Sequence, residues 1–166
     1  MRHALQCAAT LMLTLGGVVL FSQGVHAQAL GPLFAPKGQV RFAYAFDTNA
    51  INTSSTTFVD VPSLAATVTI PKRKVADVLI LFSGEMNSPS ALYVQAAVDG
   101  IAADPGAGVQ AFWGVGGGAT SQSFNFHSVI GQGTHTITMQ WAGLSGSQFM
   151  NMRSMTIILN LRHATH

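Results

Sequence analysis

Hydrophobic and polar residues alternate with a period of two along much of this chain, and turn residues interrupt the alternation at short intervals. In QVRFAYAF, one face holds Val40, Phe42, Tyr44 and Phe46, and the other holds Gln39, Arg41 and Ala45. This alternation predicts a strand with one buried side. TTFVDVP and LAATVTIP predict two further strands, each ending at a proline that cannot continue a ladder.

The middle of the chain carries two more strand signals. VADVLILFSGEM is almost continuously apolar from Val78 to Phe82, which predicts a central strand covered on both faces. In ALYVQAAVDGIAA, Asp99 and Gly100 lie between apolar segments and supply the positive φ angles of a tight hairpin turn.

Glycines at 114 and 116–118 predict a flexible connection, and the strand that follows has Phe124 and Phe126 on one face. In GQGTHTITMQW, the predicted inward residues are His135, Ile137, Met139 and Trp141, and the predicted outward residues are Thr134, Thr136, Thr138 and Gln140. GLSGS predicts a hairpin turn before a final strand, MRSMTIILNLR. About nine strands without a helix-period segment predict an all-β, two-sheet antiparallel sandwich. We favour a jelly roll over an immunoglobulin-like arrangement, because the paired cysteines of the latter are missing.

The N-terminus has the three-part pattern of a secretory signal peptide: a basic start, an apolar run and the small residues of Val25-His26-Ala27. Thr and Gly interrupt the apolar run, which falls short of the roughly 20 residues that a membrane span needs. We predict cleavage after Ala27. The predicted organisation is a signal peptide (1–27), an N-terminal extension (28–38), a β-sandwich domain (39–162) and a C-terminal tail (163–166). The mature protein is then exported, to the periplasm, the cell surface or the medium.

Composition narrows the function classes. The only cysteine, Cys7, lies in the predicted signal peptide, so the mature chain has neither disulfides nor a thiol nucleophile. Charged residues make up 8% of the chain, against about 25% in an average protein. The one basic cluster, at 72–74, predicts a solvated loop rather than a nucleic-acid surface. A surface this poor in charge tolerates contact with a partner or with copies of itself.

The segments FVDVPSLAATVTIP, ADVLILFSGEM, ALYVQAAVDG, GTHTITMQW and RSMTIIL together resemble a module of exported bacterial and phage surface proteins. The general layout of that module is similar to C1q- and TNF-like jelly rolls. The resemblance covers roughly residues 56–162 and rests on strand and turn signatures. It implies a fold, trimerisation and a display or binding role, and it carries over no functional residue.

Catalytic and metal sites find little support in the sequence. GLSGS departs from the G-x-S-x-G nucleophile motif at Ser147, and no α/β pattern surrounds it. If the strands that carry His127 and His135 form a hairpin, the two imidazoles point to opposite sides of their sheet and cannot share an ion. Glu85 is expected to pair with Arg153, an arrangement that stabilises loops more often than it catalyses. We predict no catalytic residues, no metal and no cofactor.

Binding residues are the remaining candidates. Trp113 beside the glycine cluster is the best exposed aromatic platform for a sugar, whereas Trp141 is expected to pack in the core. The predicted ligand-binding set is Trp113, Asn125, His127, Thr134, Thr136, Thr138 and Gln140. The three threonines form a row that could order water or ice, although threonine is also simply favoured on strands.

The sequence thus predicts a secreted, non-enzymatic β-sandwich module for binding, adhesion or structural display at or outside the cell surface. Self-association into a homotrimer and a glycan or surface partner are the expected interactions, without nucleic acid and without a membrane span in the mature chain. The alternatives are a carbohydrate-binding module and a hydrolase with an unrecognised site.

Overall fold

The computed structural model describes residues 28–30, 39–113 and 118–164. Two antiparallel sheets pack against each other around one hydrophobic core, and these residues contain no helix. The predicted all-β sandwich is confirmed. The predicted signal peptide (1–27), residues 31–38 of the predicted N-terminal extension, four residues of the glycine connection (114–117) and the last two residues of the tail lie outside the described residues.

One sheet has six strands and the other has five. The six-stranded sheet contains β1 (Gln28–Leu30), β2 (Gln39–Asp47), β3 (Ile51–Thr53), β5 (Lys74–Asn87), β9 (Thr120–Ile130) and β11 (Gln148–His163), with the main order β1-β2-β11-β5-β9 and β3 beside β11. The five-stranded sheet contains β4 (Val59–Ile70), β6 (Ala91–Val98), β7 (Ile101–Ala102), β8 (Val109–Trp113) and β10 (Gly133–Gly143), with the main order β4-β10-β6-β7 and β8 beside β6.

The pairing of the long strands is nested along the chain. The first pairs with the last, β2 with β11, and inside this pair lie β4 with β10, β5 with β9 and β6 with β8. This connectivity is a jelly roll, as predicted. The chain passes from one sheet to the other after β9 and again after β10, so the predicted hairpins at both places are wrong.

Strand β2 forms as predicted, but its buried face is the one that carries the smaller side chains. Ala43 and Ala45 lie in the core, whereas Phe46 is 52% exposed. The large side chains of Met155 and Ile157 stand beside the two alanines on β11 and fill the space between the sheets. The alanine face therefore fits inward, and the aromatic face points away from the sandwich.

Strand β4 runs straight through Pro62, so the two strands expected around this proline form one element. Its pairing with β10 jumps from Ala65 opposite Thr138 to Asp60 opposite Gln140, which leaves residues 61–64 facing a single residue. This is a bulge, and Ser63 within it has a φ of 69°. A proline is tolerated in a bulge because no ladder bond is needed from it.

Strand β5 lies between β11 and β9, as expected of a central strand. Val78, Ile80 and Phe82 are buried between the sheets, but Leu79 is 38% exposed and Leu81 is half-buried. The apolar run predicted that both faces of β5 are covered, but within the described residues only the inner face is covered.

Two local predictions are confirmed in detail. Asp99 and Gly100 form the turn between β6 and β7 with φ angles of 50° and 81°. On β10, Ile137, Met139 and Trp141 are buried. The same strand holds its threonines on the opposite, outer face.

Candidate functional site

The predicted ligand-binding residues lie on separate parts of the molecule. Asn125 and His127 are exposed on the outer face of the six-stranded sheet, Thr134, Thr136, Thr138 and Gln140 lie on the outer face of the five-stranded sheet, and Trp113 ends β8 with 62% of its surface exposed. The two outer faces point in opposite directions, since the sheets pack through their inner faces. No single ligand can contact the whole predicted set.

The threonines form a small array across two strands. Thr134 lies opposite Thr69, with 3.3 Å between their hydroxyl oxygens, and Thr136 lies opposite Thr67. All four are exposed. Thr138 is half-buried and faces an alanine, so the hydroxyl array ends there.

Gln140 is held by neighbours within its own sheet. Its amide nitrogen donates to the Asp60 carboxylate at 2.9 Å, and its carbonyl oxygen accepts from Gln95 at 2.8 Å. This row of three polar side chains continues the outer face beyond the threonines.

His135 is placed by two hydrogen-bond acceptors at one end of the sandwich. Its Nδ1 lies 2.7 Å from an Asp99 carboxylate oxygen, and its Nε2 lies 3.0 Å from the Gly131 carbonyl oxygen. The other Asp99 oxygen accepts the Thr136 backbone N–H at 2.8 Å. That N–H, together with His135, lowers the pKa of the Asp99 carboxyl below its ordinary value. Since Nε2 is directed at a carbonyl, the pair lacks the open nitrogen that a serine hydrolase base presents.

The outer face of the six-stranded sheet carries an unusual number of apolar side chains. The apolar centre, as we name it, consists of Val40, Phe42, Leu79, Leu81, Val129 and Ile158. Phe42, Ile158 and Leu79 lie in one row across three strands. Three of the six, Phe42, Leu81 and Ile158, are half-buried and the other three are exposed, and nothing within the described chain covers the face.

Charge is nearly absent from the apolar centre. Asp77 lies between Val40 and Val129 in the last row of the centre, and it pairs with Arg162 beyond that row at 3.0 and 3.3 Å. His127 stands at the end of the row that contains Leu79. The face therefore presents apolar surface with a neutral border.

At one end of the same face, the side chains become polar around an open cavity of about 270 Å³. This serine-end groove, as we name it, is lined by Tyr44, Phe46, Ser83, Glu85, Ser121 and Ser154, with Asp47, Thr48, Gly84, Met152 and Arg153 completing it. The rings of Tyr44 and Phe46 stack with their centroids 5.5 Å apart and their planes at 23°.

Arg153 supports the groove from beneath. Its side chain is fully buried, and its Nη2 donates to the Asp47 carboxylate at 3.0 Å. The remaining donors reach the carbonyl oxygens of Pro62 at 3.2 Å, Asn49 at 2.5 Å and Asn151 at 3.0 Å. The expected pair of Arg153 with Glu85 is wrong, because the guanidinium points inward to these partners.

The electrostatics of this ion pair follow from its surroundings. The Asn49 backbone N–H lowers the pKa of Asp47 most, and Ser63 and the Arg153 charge add to that effect. Burial lowers the pKa of Arg153, yet a guanidinium remains charged at any physiological pH.

Sequence reasoning missed the groove and the apolar centre for one reason. It assigned the aromatic face of β2 and the alternate leucines of β5 to buried positions. The signal was nonetheless present, since Ala43 and Ala45 make the second face of β2 small and apolar too.

In the part of the chain that the structure describes, no three His, Cys, Asp or Glu side chains converge as a metal site would require. The same residues include no helix of the length and hydrophobicity needed to cross a membrane. A scan against protein-family models finds no match for this chain, and a search of curated proteins finds no similar sequence.

Proposed function

We propose that this protein is an exported, non-enzymatic β-sandwich module that self-associates into a homotrimer and serves binding, adhesion or structural display at or outside the cell surface. The observation that carries the proposal is the apolar centre on the outer face of the six-stranded sheet. Exposed patches of contiguous apolar side chains mark interaction sites.

A second copy of the chain is the partner that fits this face best. The apolar run on β5 has the pattern of a strand covered on both sides, and one chain covers it on one side only. The border charges Asp77 and Arg162 neutralise each other, so the face neither repels an identical face nor demands a partner of opposite charge. The resemblance to C1q- and TNF-like jelly rolls favours three copies over two.

Export is supported by the pattern of residues 1–27, and it has its own test. N-terminal sequencing of the exported product should begin at Gln28. The non-enzymatic assignment is supported by His135, since both of its ring nitrogens face acceptors that fix the ring in place.

Light scattering after size-exclusion chromatography tests the self-association. The mature protein should elute at three times the monomer mass, and Leu79→Lys should shift it to monomer at the same concentration. Thr67→Lys is the matched control, because it places the same charge on an exposed strand position of the other sheet. A wild type that is monomeric at every concentration refutes the proposal, and so does a Thr67→Lys variant that dissociates as fully as Leu79→Lys.

A further inference from the structure

We propose that the serine-end groove is a binding site for a neutral sugar residue of a glycan. The site is distinct from the Trp113 platform expected from sequence and from the apolar centre used in self-association. The groove combines an aromatic surface, hydroxyl groups and one carboxylate.

The aromatic surface supplies the apolar contact. Phe46 is 52% exposed, and its ring is held in place by stacking on Tyr44. One face of a pyranose ring is lined by C–H groups, and such a face packs on an aromatic ring with little ordering cost when the ring is already fixed.

The polar contacts stand beside this ring. Ser154 and Ser83 follow Phe46 in one row across β11 and β5, and Glu85 lies opposite Ser121 in the adjacent strand pair. Ser123 donates its hydroxyl proton to Ser83 at 3.1 Å, which leaves the Ser83 proton available to a ligand. Hydroxyl and carboxylate groups are the partners that sugar hydroxyls use, because each sugar hydroxyl both donates and accepts.

Charge decides which sugars fit. Glu85 forms no salt bridge within the described residues, so its carboxylate faces the groove as a net negative group. The positive charge of Arg153 is buried and already engaged by Asp47 and three carbonyl oxygens. The groove therefore repels uronates and sulfated sugars and accepts neutral ones.

The size and position of the groove agree with the binding of one sugar ring of a longer glycan. The cavity of about 270 Å³ is slightly smaller than the roughly 300 Å³ at which enclosed ligand pockets begin. The groove is open and lies at the end of the face where serines replace leucines, and only Tyr44 shares a row with the apolar centre, that of Leu81. Sugar binding and self-association can thus be disrupted separately.

The test uses the mature protein on a panel of neutral, uronate and sulfated oligosaccharides of matched length, followed by calorimetry with the neutral oligosaccharide that binds best. Phe46→Ala and Glu85→Ala should each weaken binding at least about tenfold, which corresponds to about 1.4 kcal/mol. Trp113→Ala is the matched control, since this exposed aromatic lies outside the groove. Circular dichroism and light scattering should show the fold and oligomeric state of all three variants unchanged.

Three results would overturn the proposal. The first is a wild type that binds no neutral oligosaccharide of the panel, and the second is equal binding of acidic and neutral chains. The third is loss of binding in Trp113→Ala with binding retained in Phe46→Ala, which would move the site to β8. A Phe46→Ala variant that unfolds leaves the decision to Glu85→Ala, because that residue lies at the surface of the groove.

Discussion

Replacing Arg153 with methionine should destabilise the sandwich far more than removing any other described cation. Methionine retains an apolar stem of similar reach, so the variant removes the guanidinium with little change in packing. It removes the guanidinium donor from the carbonyl oxygens of Asn49, Pro62 and Asn151 and from one oxygen of the Asp47 carboxylate. These groups belong to both sheets, and Arg153 is the side chain that joins them.

The magnitude follows from burial. Removing one partner of a buried ion pair costs about 3–5 kcal/mol. Asp47 keeps the N–H of Asn49 as a donor, so most of this loss comes from the carbonyl oxygens that Arg153 no longer reaches. The loss is a large part of the roughly 5–15 kcal/mol that stabilises a typical domain. With an m-value of about 2 kcal/mol per molar urea, the unfolding midpoint should fall by about 2 M.

Urea unfolding followed by circular dichroism at one fixed protein concentration measures this difference. Arg162→Met is the matched control, because Arg162 lies on the same strand and pairs with Asp77. The side chains of that pair are 49% and 35% exposed, and a surface pair contributes about 0–1 kcal/mol. Equal midpoints for the two variants would refute the reasoning that burial makes Arg153 different.

Urea unfolding repeated at decreasing pH separates the contributions of Asn49 and Arg153 to the lowered pKa of Asp47. The lowered pKa of Asp47 gives stability that is complete above about pH 4, its ordinary pKa, and that is lost as the pH falls through the lowered value. The Asn49 N–H is the largest cause of the lowering, so Arg153→Met should keep most of this acid dependence. A variant with no acid dependence in this range would show that Arg153 dominates instead.

Three further substitutions test other parts of the structure by the same unfolding measurement. Gly143→Ala should cost about 1–3 kcal/mol, because an added Cβ would lie 2.3–2.5 Å from the buried Gln148 side chain; an unchanged midpoint would mean that this amide moves freely. Asp99→Asn keeps a residue suited to the turn but loses the charged acceptor for the Thr136 N–H. Its loss of unfolding free energy should be present at pH 6 and vanish well below pH 4, once the pH has fallen through the lowered pKa of Asp99. A loss that is constant with pH contradicts this. Trp141→Phe should cost less than about 2 kcal/mol of unfolding free energy, below the ~3–5 kcal/mol of a change to alanine. The cost is small because the substitution also removes a buried indole N–H that lacks a partner among the described residues. A larger loss would indicate a partner for that N–H.

Local pattern predicted local structure well in this protein. The two faces of β10 and the Asp99-Gly100 turn were both predicted, because alternation and turn chemistry are properties of neighbouring residues. The jelly roll followed from the number of strands and the missing cysteines. Alternation alone did not show which face of a strand points inward when both faces are apolar, as on β2, where Ala43 and Ala45 are the buried residues.

Non-local features could not be predicted from pattern. The crossing from β9 to β10 looks like a hairpin in sequence, because nothing near Gly131 records which sheet each strand joins. The partner of Arg153 is Asp47, 106 positions away, whereas the sequence suggested Glu85. The candidate groove is likewise non-local, since it forms where distant strands bring Phe46 and Glu85 to one end of a sheet.

The position of β11 also determines when the protein can fold. This strand is the last described one in chain order, yet it lies between β2 and β5 in the middle of its sheet. Those two strands cannot join the same sheet until β11 has been synthesised, and pairing across such sequence distances is slow. The six-stranded sheet should therefore assemble only after β11 has emerged.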